Sequence, residues 1–98
     1  MKTIPLTPET EQVARRCVWF EEPREALADP IRFLAYAFEY ATHEDMQVLR
    51  KVAQLSDDDI REALAGAPPG IIRPRSWAYW HLRVGINPAP PLPQRQFR

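Results

Sequence analysis

The chain lacks the residues on which most catalytic and metal sites depend. It has one cysteine and two histidines among its 98 residues. A single cysteine excludes an internal disulfide and any cysteine cluster that could bind zinc or iron. The sequence also contains neither a glycine-rich phosphate loop nor a nucleophile elbow. We therefore expect a protein that is not an enzyme and that uses no cofactor or metal.

Long apolar runs are missing as well. No stretch approaches the ~20 apolar residues that span a bilayer, and residues 1–6 are too short and too weakly apolar for a secretory signal. We expect a cytoplasmic protein with no membrane partner. Its hydrophobic content of 45% and charged content of 27% are ordinary for a globular protein. A chain of this length forms one domain.

Acidic residues are absent from the last third of the chain. All 13 of them lie between Glu9 and Glu62, whereas residues 66–98 contain five arginines and no acid. With 8 basic residues before residue 66, the formal net charge of zero conceals about −5 in residues 1–65 and +5 in the remainder. Either the two parts neutralise each other, or the basic part binds something anionic.

Proline is abundant, and its placement predicts where helices begin. Proline is favoured at the first position of a helix, where its missing N–H would have no partner. Capping residues such as Thr42 and Ser56 mark further starts. The predicted helices run from Pro8 to about Phe20, from Pro30 to Tyr40, from Thr42 to about Gln54, from Ser56 to Ala65 and from Pro74 to Val84, with a single short turn at residues 23–28.

No segment alternates in the manner of a β-strand, so the pattern predicts an all-α protein. We expect a compact bundle of about five helices over residues 1–86, followed by an extended proline-rich arm at residues 87–98. Residues 31–40 are apolar on more than one side, which places this helix at the centre. The same broad apolar face is compatible with a homodimer.

The few chemically versatile side chains each have a structural interpretation. His43 falls in the first turn of a helix, where capping explains it better than metal binding. His81 lies on or beside the stripe of Trp77 and Trp80 and is interpreted as a partly buried histidine that is hydrogen-bonded to backbone. Cys17 lies on an apolar helix face, where a buried thiol is inert. Asp57, Asp58 and Asp59 follow Ser56 as partners of a helix N-terminus, and they lack the spacing of a calcium loop.

The C-terminal third contains the candidate interaction residues. A basic and aromatic surface suited to single-stranded nucleic acid could form there from Arg73, Arg75, Arg83, Trp77 and Tyr79. The alternative places the tryptophans in the core and pairs the arginines with the acidic part. The short helix pair at residues 42–65 resembles a helix-turn-helix, but three aspartates at the start of its second helix oppose DNA binding.

Residues 90–95 fit a Pro-x-x-Pro-x-Arg pattern that polyproline-binding domains recognise. The alternative is that this segment packs on its own domain or on a neighbouring subunit. The full set of candidate interaction residues is Arg73, Arg75, Trp77, Tyr79, Arg83, Pro90, Pro93 and Arg95.

Two stretches read together resemble a family of small uncharacterised bacterial all-helical proteins. They are Ala28–Met46 with Leu49-Arg50, and Pro74–Trp80 with Gly85. The resemblance covers roughly residues 17 to 86. Members of that family are often encoded beside nucleotidyltransferase-like toxins of the abortive-infection type. The resemblance implies an antitoxin-like or regulatory partner of a toxin, and it supplies no catalytic residues.

Two hypotheses of function follow. The leading one is a non-enzymatic protein-binding module, antitoxin-like in role. The alternative is a nucleic-acid-binding module that uses the basic and aromatic C-terminal part.

Overall fold

The computed structural model describes residues 1–94, which form six α-helices and no strand. The helices are α1 (Pro8–Cys17), α2 (Pro23–Ala28), α3 (Pro30–Tyr40), α4 (His43–Val52), α5 (Asp57–Ala65) and α6 (Pro74–Arg83). The all-helical class is therefore confirmed. The Cα radius of gyration is 13.0 Å, which matches a compact domain of ~100 residues.

Helix α3 lies at the centre of the bundle, as its apolar sequence predicts. It packs against α1, α2, α5 and α6, and α1 also packs against α4. Five side chains of α3 are buried, namely Phe33, Leu34, Ala35, Ala37 and Phe38. Because these side chains face several directions around the helix, α3 must be enclosed by neighbours on more than one side.

The predicted helix starts are confirmed by their caps. Thr42 accepts a hydrogen bond from the Asp45 backbone N–H, and the Asp45 carboxylate accepts one from the Thr42 N–H, each at 3.1 Å. Ser56 and Asp59 form the same reciprocal capping box. Asp29 caps α3 by accepting from the Arg32 N–H. Each cap is made within four residues of sequence, which explains why the sequence alone located these starts.

Two predicted helix ends are wrong. Helix α1 ends at Cys17, so Phe20, which the prediction included in this helix, lies beyond it and is exposed. Pro23 begins α2 and requires an extended residue before it, so the chain must leave the helix and turn between these points. Helix α4 ends at Val52, because Gln54 adopts a left-handed backbone with φ of 53°.

The segment from Pro23 to Ala28, predicted as a single turn, forms the six-residue helix α2. Ala26 and Leu27 are buried there, so packing against α1 and α3 stabilises a helix too short to persist alone.

Two glycines do different work at helix ends. Gly85 has φ of 82° and ends α6 in the left-handed conformation that glycine tolerates best. Gly66 follows α5 with φ of −102°. A Cβ atom at this position would lie 3.2 Å from Ile31 Cγ2, so the missing side chain allows α5 to approach α3 closely.

None of the six helices described has the length and apolar character needed to cross a membrane.

Candidate functional site

Helix α6 separates the predicted interaction residues into a buried set and an exposed set. Trp77 is buried, whereas Arg75, Tyr79 and Arg83 are exposed. These three are spaced four residues apart, so they follow one another along one face of the helix. Arg73 precedes the helix as its N-cap residue, and its backbone N–H donates to Glu39 Oε1 at 2.7 Å.

Trp77 is held inside the molecule. Its indole Nε1 donates to the Pro90 carbonyl oxygen at 2.7 Å. The centroid of its ring lies 4.2 Å from the centroid of the His81 ring. His81 is buried, and its Nδ1 donates to the Trp77 carbonyl at 2.7 Å. The predicted hydrogen bond from His81 to backbone is confirmed, and the side chain is fully buried where partial burial was predicted. Trp77 belongs to the core and not to the surface that α6 presents.

The proline-rich segment contacts its own domain. Ala89 and Leu92 are partly buried against the core, and the Pro90 carbonyl is bonded to Trp77. Pro93 is partly buried as well. The alternative in which the segment packs on its own domain therefore agrees with these contacts. Arg95, the last candidate interaction residue, lies outside the described residues.

A groove of about 380 Å³ lies between α4 and α6. Phe38, Met46 and Trp80 supply apolar parts of its lining. The Phe38 and Trp80 rings contact each other at a tilt of 37°, with centroids 5.0 Å apart, and Trp80 Nε1 donates to the Phe38 carbonyl at 3.0 Å. The Phe38 carbonyl lies in the last turn of α3, where helix carbonyls lack partners, so this bond joins the two helices.

The polar part of the groove is basic. Arg75, Tyr79 and Arg83 enter it from α6, and the side chains from α4 are His43, Gln47 and Arg50. His43 is exposed and lies 3.2 Å from Gln47 through its Nε2. Sequence reasoning did not assign the α4 residues to any site. Their spacing of four and then three residues was the available signal that they share a helix face.

The arginines of α6 form no ion pair with a carboxylate of residues 1–94. Within residues 1–94, every ion pair joins two groups of residues 1–62. Arg50 forms one of these pairs, with its Nη2 2.9 Å from Asp57 Oδ1. The hydrogen bond from Arg50 lowers the pKa of Asp57, and the nearby charges of Arg61 and Arg83 lower it further. Asp57 therefore places a negative charge beside Arg50 of the groove.

A second surface carries four aromatic rings that contact one another, which we call the aromatic cluster: Trp19, Phe20, Tyr36 and Tyr40. The Trp19 ring centroid lies 5.4 Å from that of Phe20 and 5.2 Å from that of Tyr40. Phe20 lies 5.4 Å from Tyr36. Trp19, Phe20 and Tyr40 are 61%, 51% and 40% exposed.

Sequence reasoning missed this cluster. The sequence predicted a helix that extends to about Phe20, whereas α1 ends at Cys17 and leaves Phe20 exposed beside Trp19. One edge of the cluster is ordered by Arg32, whose guanidinium lies 5.2 Å from the Tyr36 ring centroid. Arg32 also donates to both carboxylate oxygens of Glu21, at 3.1 and 2.6 Å.

The remaining reactive side chains do not converge. Cys17 is fully buried, and burial raises its thiol pKa to about 12, with the Asp45 charge adding to the effect. Its interpretation as a buried thiol is confirmed. Among the 94 residues that the structure describes, no three His, Cys, Asp or Glu side chains are placed to hold a metal ion.

No family model, curated protein or solved structure matches the chain. The resemblance to the small bacterial family stays a prediction. Function is therefore inferred from two surfaces, the aromatic cluster and the basic groove.

Proposed function

We propose that the chain is a non-enzymatic protein-binding module and that a partner protein docks on the aromatic cluster. The observation that carries this proposal is the exposure of three adjacent rings, in which Trp19 contacts both Phe20 and Tyr40. Isolated exposed apolar residues are normal on protein surfaces, but a contiguous patch of large rings usually marks an interaction site. Tryptophan, tyrosine and phenylalanine are also enriched at protein interfaces.

The cluster is organised before any partner arrives. Trp19 and Phe20 lie in the turn between α1 and α2, and the tyrosines lie on the central helix α3. Edge-to-face contacts between the rings and the Arg32–Glu21 pair restrain their side chains. Binding then loses little side-chain freedom, which favours affinity.

The surroundings of the cluster define the chemistry of the partner. Residues 8–41, which contain all four rings, carry seven acidic and four basic side chains. A partner surface that combines apolar side chains with lysine or arginine would complement both the rings and this negative charge. Arginine is also well suited to stack on exposed rings. The partner in this proposal is therefore a protein with a basic, partly apolar docking surface.

The sequence resemblance supplies the first partner to test. It implies a toxin of the abortive-infection type, which would make this chain the antitoxin-like member of the pair. Direct binding of the chain to such a toxin would support that role.

Site-specific photocrosslinking tests the docking surface. A photoreactive phenylalanine analogue at position 20, expressed in the native host, should crosslink to one protein in stoichiometric amounts. The same analogue at Leu82 is the matched control, because Leu82 is also an exposed apolar residue but lies outside the cluster. With the crosslinked protein purified, Trp19→Ala should weaken binding by about 2 kcal/mol or more, as expected of an interface hot spot. Leu82→Ala should leave the affinity unchanged.

Two outcomes contradict the proposal. One is a partner whose affinity is equal for the parent protein and for Trp19→Ala. The other is a crosslink from position 20 to a second copy of the chain, with a dimer in sedimentation equilibrium that Trp19→Glu dissociates. That result would identify the cluster as a homodimer face.

A further inference from the structure

The groove between α4 and α6 combines apolar and cationic groups in a concave site. Phe38, Met46 and Trp80 form apolar surface inside it, while arginines of both helices surround that surface. Its volume of about 380 Å³ lies within the usual range of small-ligand pockets. A ligand that matches this lining has a planar apolar part joined to a negatively charged part.

The exposed face of α6 also combines an aromatic ring with positively charged side chains, which follow one another along the helix axis. Tyr79 lies between Arg75 and Arg83, about 6 Å from each along the helix axis. Tyr79 is 54% exposed, and its ring is held edge-on against Trp80 with centroids 5.3 Å apart. One ring flanked by two guanidinium groups therefore faces the groove from a rigid helix.

We propose that this groove binds single-stranded nucleic acid, with one base stacked on Tyr79 and the flanking phosphates held by Arg75, Arg83 and Arg50. A single strand exposes both its bases and its phosphates, so it satisfies the ring and the arginines together. A duplex keeps its bases stacked inside and offers none of them to the Tyr79 ring. This function is separate from protein docking, because none of the aromatic cluster residues lines the groove.

Asp57 sets the charge that the phosphate must displace. Its carboxylate forms an ion pair with Arg50 and is also attracted by the positive charge of Arg83. In the free protein this carboxylate neutralises part of the groove, and a bound phosphate competes with it for the Arg50 guanidinium. Removing the charge of Asp57 should therefore strengthen binding, an effect that a purely structural role of this residue would not produce.

Fluorescence anisotropy with a labelled oligothymidylate of twelve nucleotides tests the proposal on the full chain. The logarithm of the binding constant should fall linearly with the logarithm of salt concentration, with a slope of about −2 for three phosphate contacts. Arg75→Ala and Arg83→Ala should each flatten that slope by about 0.7. Arg73→Ala is the matched control, because Arg73 adjoins the same helix but does not line the groove.

The aromatic contribution has its own variants. Tyr79→Ala should weaken binding about 5- to 100-fold, the range expected for loss of one stacked base, whereas Tyr79→Phe should retain the parent affinity. Asp57→Asn should tighten binding. Trp19→Ala should change nothing, which separates this result from the test of protein docking.

Four results would overturn the proposal. They are no binding to the oligonucleotide at low salt, equal losses for Arg73→Ala and Arg75→Ala, no effect of Tyr79→Ala, and equally tight binding of polyglutamate. The last three would show that α6 attracts polyanions by charge alone and that the groove is not a nucleotide site. Circular dichroism of each variant confirms that it remains helical.

Discussion

Arg16 of α1 forms an ion pair with the buried carboxylate of Asp45 at the start of α4. Arg16 Nε lies 3.0 Å from each carboxylate oxygen, and Arg16 Nη2 also donates to Oδ1. The Asp45 side chain is 1% exposed, whereas that of Arg16 is 50% exposed. Asp45 also caps α4 by accepting from the Thr42 N–H. One carboxylate therefore begins a helix and joins it to another helix 29 residues away in sequence.

Removing Arg16 should destabilise the fold. In Arg16→Ala the buried Asp45 carboxylate loses its charged partner, and the free energy of unfolding should fall by about 1.5 to 3 kcal/mol at pH 7. Urea unfolding followed by circular dichroism measures this change. Arg15→Ala is the matched control, because Arg15 pairs with Glu11 on the exposed surface and should cost less than about 0.5 kcal/mol. Equal stability of the two variants would contradict the importance of the buried pair.

The same pair predicts an acid-dependent loss of stability. Burial alone would raise the pKa of Asp45, but hydrogen bonds from Arg16 and Thr42 outweigh burial and lower it. Because the folded pKa lies below the unfolded one, the stabilisation is fully present above about pH 4 and is lost as pH falls through the folded value. Unfolding curves at decreasing pH should show a smaller acid effect for Asp45→Asn than for the parent. Identical pH profiles would contradict this assignment.

Trp80 should behave as a core anchor. It is buried, its ring contacts that of Phe38, and its indole N–H donates to the Phe38 carbonyl. Trp80→Ala should lower the free energy of unfolding by about 3 to 5 kcal/mol, because it opens a large cavity between α3 and α6. Trp80→Phe retains an aromatic ring and should cost less. A Trp80→Ala variant that keeps parental stability would place this residue on an interaction surface instead.

Ser56 and the aspartates after it should act as a helix cap. Ser56→Ala removes the acceptor for the Asp59 N–H and should cost about 1 kcal/mol in chemical unfolding. Ser56→Asp keeps a capping oxygen and should cost little. Hydrogen bonding by the Ser56 backbone lowers the pKa of Asp59, so its stabilisation should also fade in acid. A rise in melting temperature with calcium or magnesium, abolished by Asp57→Asn with Asp58→Asn, would contradict capping.

Cys17 should be unreactive in the folded protein. Its burial and its pKa of about 12 keep the thiol protonated and shielded from reagents. At pH 8 a disulfide reagent should modify no thiol in the native protein and one thiol after denaturation. Because the unfolded thiol ionises near pH 8.5 and the folded one does not, stability should fall as pH rises above that value. Rapid native modification would contradict the buried position.

Removal of the proline-rich segment should expose Trp77. A chain ending at Ile86 lacks the Pro90 carbonyl that accepts from the Trp77 indole, together with the contacts of Ala89 and Leu92. We expect a loss of about 1 to 3 kcal/mol and a red shift of tryptophan fluorescence. Leu92→Ala in the full chain should reproduce part of the loss. An unchanged spectrum and stability would mean that the segment does not pack on α6 in solution.

The starts of the helices could be read directly from the sequence. Thr42 and Ser56 with their following aspartates, and Pro30 after Asp29, contain the complete chemistry of a cap within four residues. The central position of α3 also followed from its apolar composition, because a helix that is apolar on several sides must be enclosed. These features depend on residues that are close together in sequence, so the local sequence determines them.

Features that join distant residues were decided by tertiary packing. The partner of Asp45 is Arg16, and nothing near either residue indicates the other. Trp19 and Phe20 follow the end of α1, and only the fold brings their rings against Tyr40 and Tyr36 of α3. The α6 arginines were recognised as candidates, but only the fold, which places α4 and α6 on two sides of one groove, adds Arg50 to them. Periodicity along one helix specifies which residues share a face, whereas the three-dimensional fold specifies which other face lies opposite.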